Sequence, residues 1–123
     1  MRPIRPHVHR TLDFVTVVGF AAAPSLLGLQ GLPATLSYVL AFVHLALTLL
    51  TRFSPAERGL VPLRAHGLIE LLVGVVLVVV PFALGWTGVA RTFYVAAGVV
   101  ILAVWALSEY NEQAAPVSNR QDR

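Results

Sequence analysis

The stretch GLIELLVGVVLVVVPFALGW, from Gly67 to Trp86, decides the fold. It contains one charged side chain, Glu70, in an otherwise apolar run. An α-helix needs about 20 apolar residues to cross the hydrocarbon layer of a membrane. A lone strand would leave its backbone polar groups without partners in lipid, so this stretch predicts a membrane-spanning helix.

Three further segments have the same apolar character. They run from Leu12 to Leu29, from Pro33 to Phe53 and from Val89 to Leu107. Four strands are too few to close a β-barrel in a membrane. We therefore predict an all-α integral membrane protein with four transmembrane helices.

The composition of the whole chain agrees with this prediction. Of its 123 residues, 57% are hydrophobic and 12% are charged, whereas soluble domains have about 25% charged residues. The same composition argues against disorder. Since cysteine is absent, disulfides, thiolate metal ligands and cysteine nucleophiles are excluded.

Short links between the segments predict two tight helical hairpins. Turn-forming residues occupy Gln30–Pro33 and the neighbourhood of Thr87 and Gly88. In the longer middle link, Ser54-Pro55-Ala56-Glu57 allows the start of a short helix. We divide the chain into an N-terminal arm (1–10), a first transmembrane hairpin (11–53), a linker (54–65), a second transmembrane hairpin (66–110) and a flexible tail (111–123).

The basic residues predict the orientation of the chain. All nine are arginines and the net charge is +3, but they flank the apolar runs instead of forming the basic stripe of a nucleic-acid surface. Only Arg91 lies near the two hairpin turns. The positive-inside rule therefore predicts a multi-pass protein of the inner (plasma) membrane with both termini, the linker and the tail in the cytoplasm.

The first segment also has features of a signal peptide. It follows a basic start and contains Ala21-x-Ala23, a pattern typical of cleavage sites. Cleavage would leave three spans. Pro24 directly after the site disfavours cleavage, so we expect an uncleaved signal anchor.

The two halves of the chain align when one is shifted by 57 residues. His9 then falls on His66, Asp13 on Glu70, and Gly28 on Gly85. Over 45 ungapped pairs, 9–53 against 66–110, 11 are identical. We predict an internal duplication, with two hairpins related by a pseudo-two-fold axis along the membrane normal.

A family resemblance rests on the sequences APSLLG (Ala23–Gly28) and VPFALG (Val80–Gly85). Each has a proline four residues before a glycine. With this spacing, residues 9–110 resemble the SPW-repeat family of small bacterial membrane proteins, although neither proline has Ser directly before it or Trp directly after it. The resemblance implies membrane location and paired helices, and no established activity.

Two histidine–acid pairs carry the clearest chemistry. His9 and Asp13, like His66 and Glu70, are spaced to share one face of a helix. The pseudo-two-fold axis would bring both pairs to one depth near the cytoplasmic boundary, where they would bind a divalent metal such as Zn, Fe or Mn. Two alternatives stay open. In the first, the acids cap first helical turns and their charge is neutralised by Arg10, Arg52 or Arg64. In the second, the acids carry protons.

A third histidine, His44, lies near the middle of the second span and is a candidate cofactor-binding residue. It would bind haem or a pigment, or relay a proton. The alternative is a neutral side chain bonded to a backbone carbonyl or to Thr48. A haem held by two histidines would need them at one depth on facing helices. His9 and His66 satisfy the depth, but they lie near helix ends rather than inside the bundle.

Small and aromatic residues predict how the helices pack. Close helix contact is expected at Gly19, Ala23, Gly74, Ala97 and Gly98. Aromatic residues near the predicted membrane interfaces, typical of an aromatic belt, are Phe53, Trp86, Tyr94 and Tyr110.

No catalytic motif is present, since the sequence lacks a phosphate-binding loop, a serine-nucleophile motif and a His-Glu-x-x-His motif. We expect a non-enzymatic structural or accessory subunit without a cofactor, which packs in an oligomer or a larger complex. Its partners would be the lipid bilayer, copies of itself or other membrane proteins, and no nucleic acid. The alternatives are an oligomeric transporter or channel component and a haem-, pigment- or metal-binding subunit.

Overall fold

Four α-helices make up the fold in the computed structural model, which describes residues 2–111. They are α1 (Pro6–Leu27), α2 (Gly31–Leu50), α3 (Leu63–Ala83) and α4 (Gly88–Leu107). Each has 20 to 22 residues and is long and apolar enough to cross a membrane. The prediction of an all-α protein with four such helices is confirmed. Helix α1 packs against α2, and α3 against α4.

The first and third helices begin earlier than their apolar segments. Helix α1 starts at Pro6, inside the predicted arm, and α3 starts at Leu63, inside the predicted linker. Hydropathy detects only the apolar part of a helix, whereas these first turns carry arginine and histidine. Except for Asn111, the tail predicted for 111–123 lies outside the described residues.

Glycines in the left-handed region end α1 and α3. Gly28 has φ +65° and Gly85 has φ +68°, a conformation that residues with a Cβ rarely adopt. The N–H of Leu29 donates to the carbonyl of Pro24 at 3.0 Å and closes the end of α1. Pro24 and Pro81 therefore lie in the last turns of their helices.

The opposite end of the molecule carries most of the described arginines, and we call it the arginine-rich end. Here α1 and α3 begin and α2 and α4 end. Strand β1 (Thr51–Arg52) pairs in parallel with β2 (Val61–Pro62), and Ile4 bridges to Ser108. Strand β1 lies inside the apolar segment predicted to reach Phe53, because α2 already ends at Leu50. The other paired residues lie outside the apolar segments. The arginines located here are Arg2, Arg5, Arg10, Arg52, Arg58 and Arg64.

The middle of the bundle is an apolar core. It is formed by Phe20, Ala41, Leu77, Tyr94 and Ile101. The Tyr94 hydroxyl donates to the carbonyl of Pro33 at 2.7 Å and ties the second hairpin to the first. Tyr94 therefore faces the core and does not belong to an aromatic belt. The outer faces of the helices are apolar as well, as at Leu26 and Phe42, and such surfaces suit contact with lipid.

Two glycines allow α3 and α4 to approach closely. A Cβ on Gly98 would lie 2.8 Å from the Gly74 carbonyl oxygen and 3.0 Å from the Val78 nitrogen. Ala23 is buried and Ala97 packs against the core. Gly19 differs, because no atom lies within 4 Å of a Cβ built there. It lines an open apolar groove between α1 and α4, so the predicted packing role of Gly19 is wrong within the chain.

Replacing Gly98 with alanine is expected to destabilise the second hairpin. The added methyl group meets backbone atoms that cannot move aside, and such overpacking typically costs about 1–3 kcal/mol. Gly19→Ala is the matched control, since it adds the same methyl group in open space and gains up to about 1 kcal/mol of helix propensity. Unfolding in mixed micelles, followed by circular dichroism, measures both. Equal stability of the two variants would contradict the close α3–α4 contact.

Candidate metal centre

Two histidines and two carboxylates meet at the arginine-rich end of the bundle. His9 and Asp13 extend from α1 towards His66 and Glu70 of α3, and one ligand atom from each lies within 4.8 Å of the others. All four residues are at most 3% exposed. The structure thus brings together the two histidine–acid pairs that the sequence singles out. We call these four residues the His/acid cluster.

Nitrogen and oxygen atoms alternate around the cluster. His9 Nε2 lies 3.2 Å from Asp13 Oδ1 and 3.0 Å from Glu70 Oε2. His66 Nε2 lies 3.1 Å from Asp13 Oδ2 and 3.2 Å from Glu70 Oε1. Each ring nitrogen therefore faces both carboxylates, and each carboxylate faces both rings.

Hydroxyl groups on the far side fix the tautomer of each ring. Ser108 Oγ donates to the carbonyl of Val104 at 2.5 Å, and Thr51 Oγ1 donates to the carbonyl of Leu47 at 2.6 Å. A hydroxyl has one proton to donate. The contacts of His9 Nδ1 with Ser108 Oγ at 2.7 Å and of His66 Nδ1 with Thr51 Oγ1 at 2.8 Å are therefore N–H groups donating to oxygen.

With Nδ1 protonated, the neutral form of each ring turns a lone pair at Nε2 towards the carboxylates. The short Nε2–oxygen contacts do not have the alignment of hydrogen bonds: His9 Nε2, His66 Nε2 and Asp13 Oδ2 are buried polar atoms without a hydrogen-bond partner. Buried polar atoms are normally satisfied. The centre of the cluster therefore has electron pairs from two rings and two carboxylates directed at one place.

Two aromatic rings close the cluster off from its surroundings. The Phe53 ring lies against His66, with centroids 5.5 Å apart, and the Tyr110 ring lies 5.4 Å from that of His9. The Tyr110 hydroxyl donates to Glu70 Oε2 at 3.0 Å. Burial, together with the nearby carboxylate of Glu70, raises the pKa of Tyr110 well above its ordinary value. Both aromatic residues thus face inward rather than into an aromatic belt.

His44 lies beside the cluster but outside its closest set of atoms. Its Nε2 is 3.3 Å from Asp13 Oδ1, at hydrogen-bond distance, and 3.8 Å from Glu70 Oε1. The hydroxyl of Thr48 donates to the backbone carbonyl of His44, not to its ring. His44 therefore contacts the same Asp13 oxygen as His9 and helps to orient this carboxylate, a contact that spacing along α2 does not predict.

The alternative of acids that cap first turns is wrong. Neither α1 nor α3 has an acidic residue in its first turn, because Asp13 and Glu70 lie about two turns inside. Arg10 does not neutralise them either, because it pairs with Glu57 of the linker. Asp13 and Glu70 both contact Nε2 of His9 and Nε2 of His66, the two nitrogens that a haem held by these rings would need.

Sequence reasoning missed the groups that surround the cluster. Thr51 and Ser108 hold the rings, while Phe53 and Tyr110 cover them. A signal was present, because the 57-residue shift pairs Thr51 with Ser108 and Phe53 with Tyr110. Conservative pairs of this kind are not identities, and each lies beyond the last turn of its helix.

No protein-family model, no curated protein and no solved structure matches this chain. The function proposed for the cluster therefore rests on its geometry.

Replacing Tyr110 with phenylalanine is expected to lower the free energy of unfolding. A hydrogen bond to a charged group contributes about 1.5–3 kcal/mol. Tyr38→Phe is the control, because Tyr38 is half exposed. The raised pKa of Tyr110 also predicts how stability depends on pH. Above about pH 10 the tyrosine ionises in the unfolded chain but not in the folded one, so the free energy of unfolding falls. Thermal unfolding against pH should show a smaller alkaline loss in Tyr110→Phe, and identical pH curves would contradict the buried phenol.

Proposed function

We propose that this protein is a small, non-enzymatic membrane subunit in which one divalent transition-metal ion joins the two hairpins. The ion lies at the His/acid cluster and is bound by His9, Asp13, His66 and Glu70. A bundle held together in this way serves as a structural or accessory subunit, which associates with copies of itself or with other membrane proteins through its apolar helix faces.

The observation that carries this proposal is the direction of the two ring nitrogens. The hydrogen bonds from His9 to Ser108 and from His66 to Thr51 hold Nδ1–H outward and leave Nε2 facing two carboxylates. Metal-binding histidines characteristically donate their second N–H to an outer group, which fixes the tautomer and the ring orientation. Without a cation, four electron-rich groups would repel one another in a buried place.

The dimensions of the cluster suit an ion. Metal–nitrogen and metal–oxygen bonds of about 2.0–2.1 Å give neighbouring ligand atoms a separation of about 3.3 Å in a tetrahedron and about 2.9 Å in an octahedron. The four nitrogen–oxygen contacts of 3.0 to 3.2 Å fall between these values. Small movements of the side chains would complete either geometry.

Charge favours a divalent ion. Two carboxylates with two neutral imidazoles sum to a charge of −2, and an uncompensated buried charge is very costly. The rival is a cluster neutralised by two extra protons on the rings. In that rival each Nε2–H would be shared between two carboxylate oxygens at 3.0 to 3.2 Å, without the alignment of a single hydrogen bond.

The ligand set narrows the choice of metal. Imidazole and carboxylate ligands suit Zn²⁺, Fe²⁺ and Mn²⁺, whereas the soft sulfur ligands that select Cu⁺ are absent from the site. In the tetrahedral geometry, four buried protein ligands leave no open position for a substrate, which is the character of a structural site. The ion would therefore hold α1 to α3 rather than perform chemistry.

An oligomeric transporter is less well supported. In the described part of the chain, the core beyond the His/acid cluster is built from Phe20, Leu77, Tyr94 and Ile101. These side chains are aromatic or aliphatic and offer a metal ion no charged ligand on the way to the other end of the bundle.

We also infer that the hairpins are tandem copies with both termini in the cytoplasm. The crossed contacts support the duplication, because Thr51 of the first half holds His66 and Ser108 of the second half holds His9. The collection of arginines at one end supports the orientation through the positive-inside rule. The membrane would be the inner (plasma) membrane, and the resemblance to SPW-repeat proteins stays a prediction.

The purified protein is expected to contain one divalent metal ion per chain, measured by elemental analysis after mild extraction. His66→Ala or Glu70→Gln should lose it, while His7→Ala should keep it, because His7 is an exposed histidine on the same helix as His9. Removal of the ion with a chelator should lower the thermal midpoint, since a ligand at 1,000 times its Kd stabilises by about 4 kcal/mol. Metal-free protein of unchanged stability would contradict the proposal.

The two hydroxyls give a subtler test. Thr51→Val and Ser108→Ala leave all four ligands in place but remove the acceptor of a ring N–H. Loss of such an outer partner weakens metal binding about 10–100-fold. Titration with Zn²⁺ against a competing chelator measures the Kd. Thr35→Val is the matched control, since this exposed hydroxyl bonds only to its own helix, and an equal effect there would contradict the account.

A further inference from the structure

One side of the His/acid cluster is covered by Phe53, which ends the first hairpin directly before the linker. The ring of Phe53 lies over both histidines, with centroids 5.5 Å from His66 and 6.3 Å from His9, and Phe53 is only 2% exposed. Residues 53–57 form bends and turns, so the short helix that the sequence allowed here does not form. The N–H of Glu57 donates a hydrogen bond to the carbonyl of Ser54 at 3.2 Å.

Glu57 holds Phe53 in place through both of its carboxylate oxygens. One oxygen accepts the backbone N–H of Phe53 at 2.7 Å, and the other accepts a hydrogen bond from the guanidinium of Arg10. That guanidinium also lies over the Phe53 ring, 4.6 Å from its centroid. Arg10 neighbours the proposed ligand His9 in α1. Arg10 and Glu57 therefore form a latch between α1 and the linker, and this latch holds Phe53 over the rings.

The latch lies at the surface of the molecule. The side chains of Arg10 and Glu57 are 37% and 32% exposed, and ion pairs in such places are weak. Burial opposes the ionised form of Glu57, but the hydrogen bonds from Arg10 and Phe53 outweigh it and lower the pKa of Glu57. The latch is thus charged at neutral pH and is held by contacts that water can replace.

Other parts of the cover are fixed more firmly. Tyr110 is bonded directly to Glu70, and the chain before it is joined to Ile4 by backbone hydrogen bonds of 2.7 and 2.9 Å. Outside the latch, by contrast, a crevice of about 420 Å³ extends to Thr51, the partner of His66. Its lining includes Arg10, Glu57 and the exposed Arg58.

We propose that the metal ion enters and leaves the His/acid cluster through this crevice, by outward displacement of Phe53, with the Arg10–Glu57 pair as the latch. The inference rests on the proposed function. Because neither latch residue is a metal ligand, breaking the latch accelerates association and dissociation together and leaves the equilibrium Kd nearly unchanged.

The test is a chelator chase on the full-length protein loaded with Zn²⁺ in detergent micelles. Glu57→Ala removes both the ion pair and the bond to Phe53, and should raise the dissociation rate about tenfold. Arg10→Met keeps the apolar stem but loses the charge, and should raise it about threefold. Phe53→Leu keeps an apolar cover with less contact to the rings and should also exchange faster.

Arg58→Met is the matched control. Arg58 lines the same crevice and forms no ion pair within residues 2–111, so its loss should leave the exchange rate at the wild-type value. If Arg58→Met accelerates exchange as much as Glu57→Ala, exchange responds to any change at the crevice and the latch is wrong. If Tyr110→Phe accelerates exchange and Glu57→Ala does not, the ion passes on the other side.

The outcomes separate the two proposals. Wild-type protein that binds no Zn²⁺ overturns the proposed function and this inference with it. Wild-type protein that binds one Zn²⁺, with latch variants that exchange at its rate, overturns the access route and leaves the metal site standing. Variants that lose affinity without faster exchange likewise contradict a latch, because they would show that Glu57 or Arg10 supports binding itself.

Discussion

The hydrogen bonds from two histidines to two hydroxyls are the interaction on which the rest of the site depends. Ser108 and Thr51 each give their only proton to a backbone carbonyl of their own helix. They can therefore only accept from the rings, and this determines which nitrogen of each ring faces the carboxylates. Two hydroxyls that are bonded to backbone carbonyls thus orient the histidine lone pairs so that they converge with the two carboxylates.

These bonds also explain why the halves of the chain depend on each other. The hydroxyl that ends the first half holds a ring of the second, and the hydroxyl that ends the second half holds a ring of the first. The short backbone pairings at Thr51–Val61 and Ile4–Ser108 bring those chain ends into position. Apolar side chains fill the middle of the bundle, so the specific polar contacts between halves are concentrated at one end and at Tyr94.

Part of this arrangement is readable from the sequence. The four helices follow from hydropathy, and the spacing of His9 with Asp13 and of His66 with Glu70 places each pair on one helix face. Whether the faces meet depends on how two hairpins rotate against each other, which spacing within a helix does not contain. Hydropathy predicts starts of α1 and α3 that are too late, since it does not detect their polar first turns.

For a related reason, the sequence predicts the wrong surroundings for several other residues. Phe53, Tyr94 and Tyr110 lie where an aromatic belt is expected, yet all three turn inward. Backbone hydrogen bonds at Ile4 and the turn at Glu57 direct the chain near Tyr110 and Phe53, and the Tyr94 hydroxyl donates to the carbonyl of Pro33. Gly19 has the small size that suits close helix contact but faces an open groove. Residue type predicts what a side chain suits, and the path of the neighbouring chain determines what it contacts.

X-ray absorption at the K-edge of the metal in the purified protein tests the central claim most directly. A site built from two imidazoles and two carboxylates should give only nitrogen and oxygen neighbours at about 2.0–2.1 Å, with outer scattering from two imidazole rings that is unchanged in His7→Ala. A shell of oxygen atoms without imidazole scattering would show that the metal is bound elsewhere. It would contradict the assignment of the His/acid cluster as a metal centre.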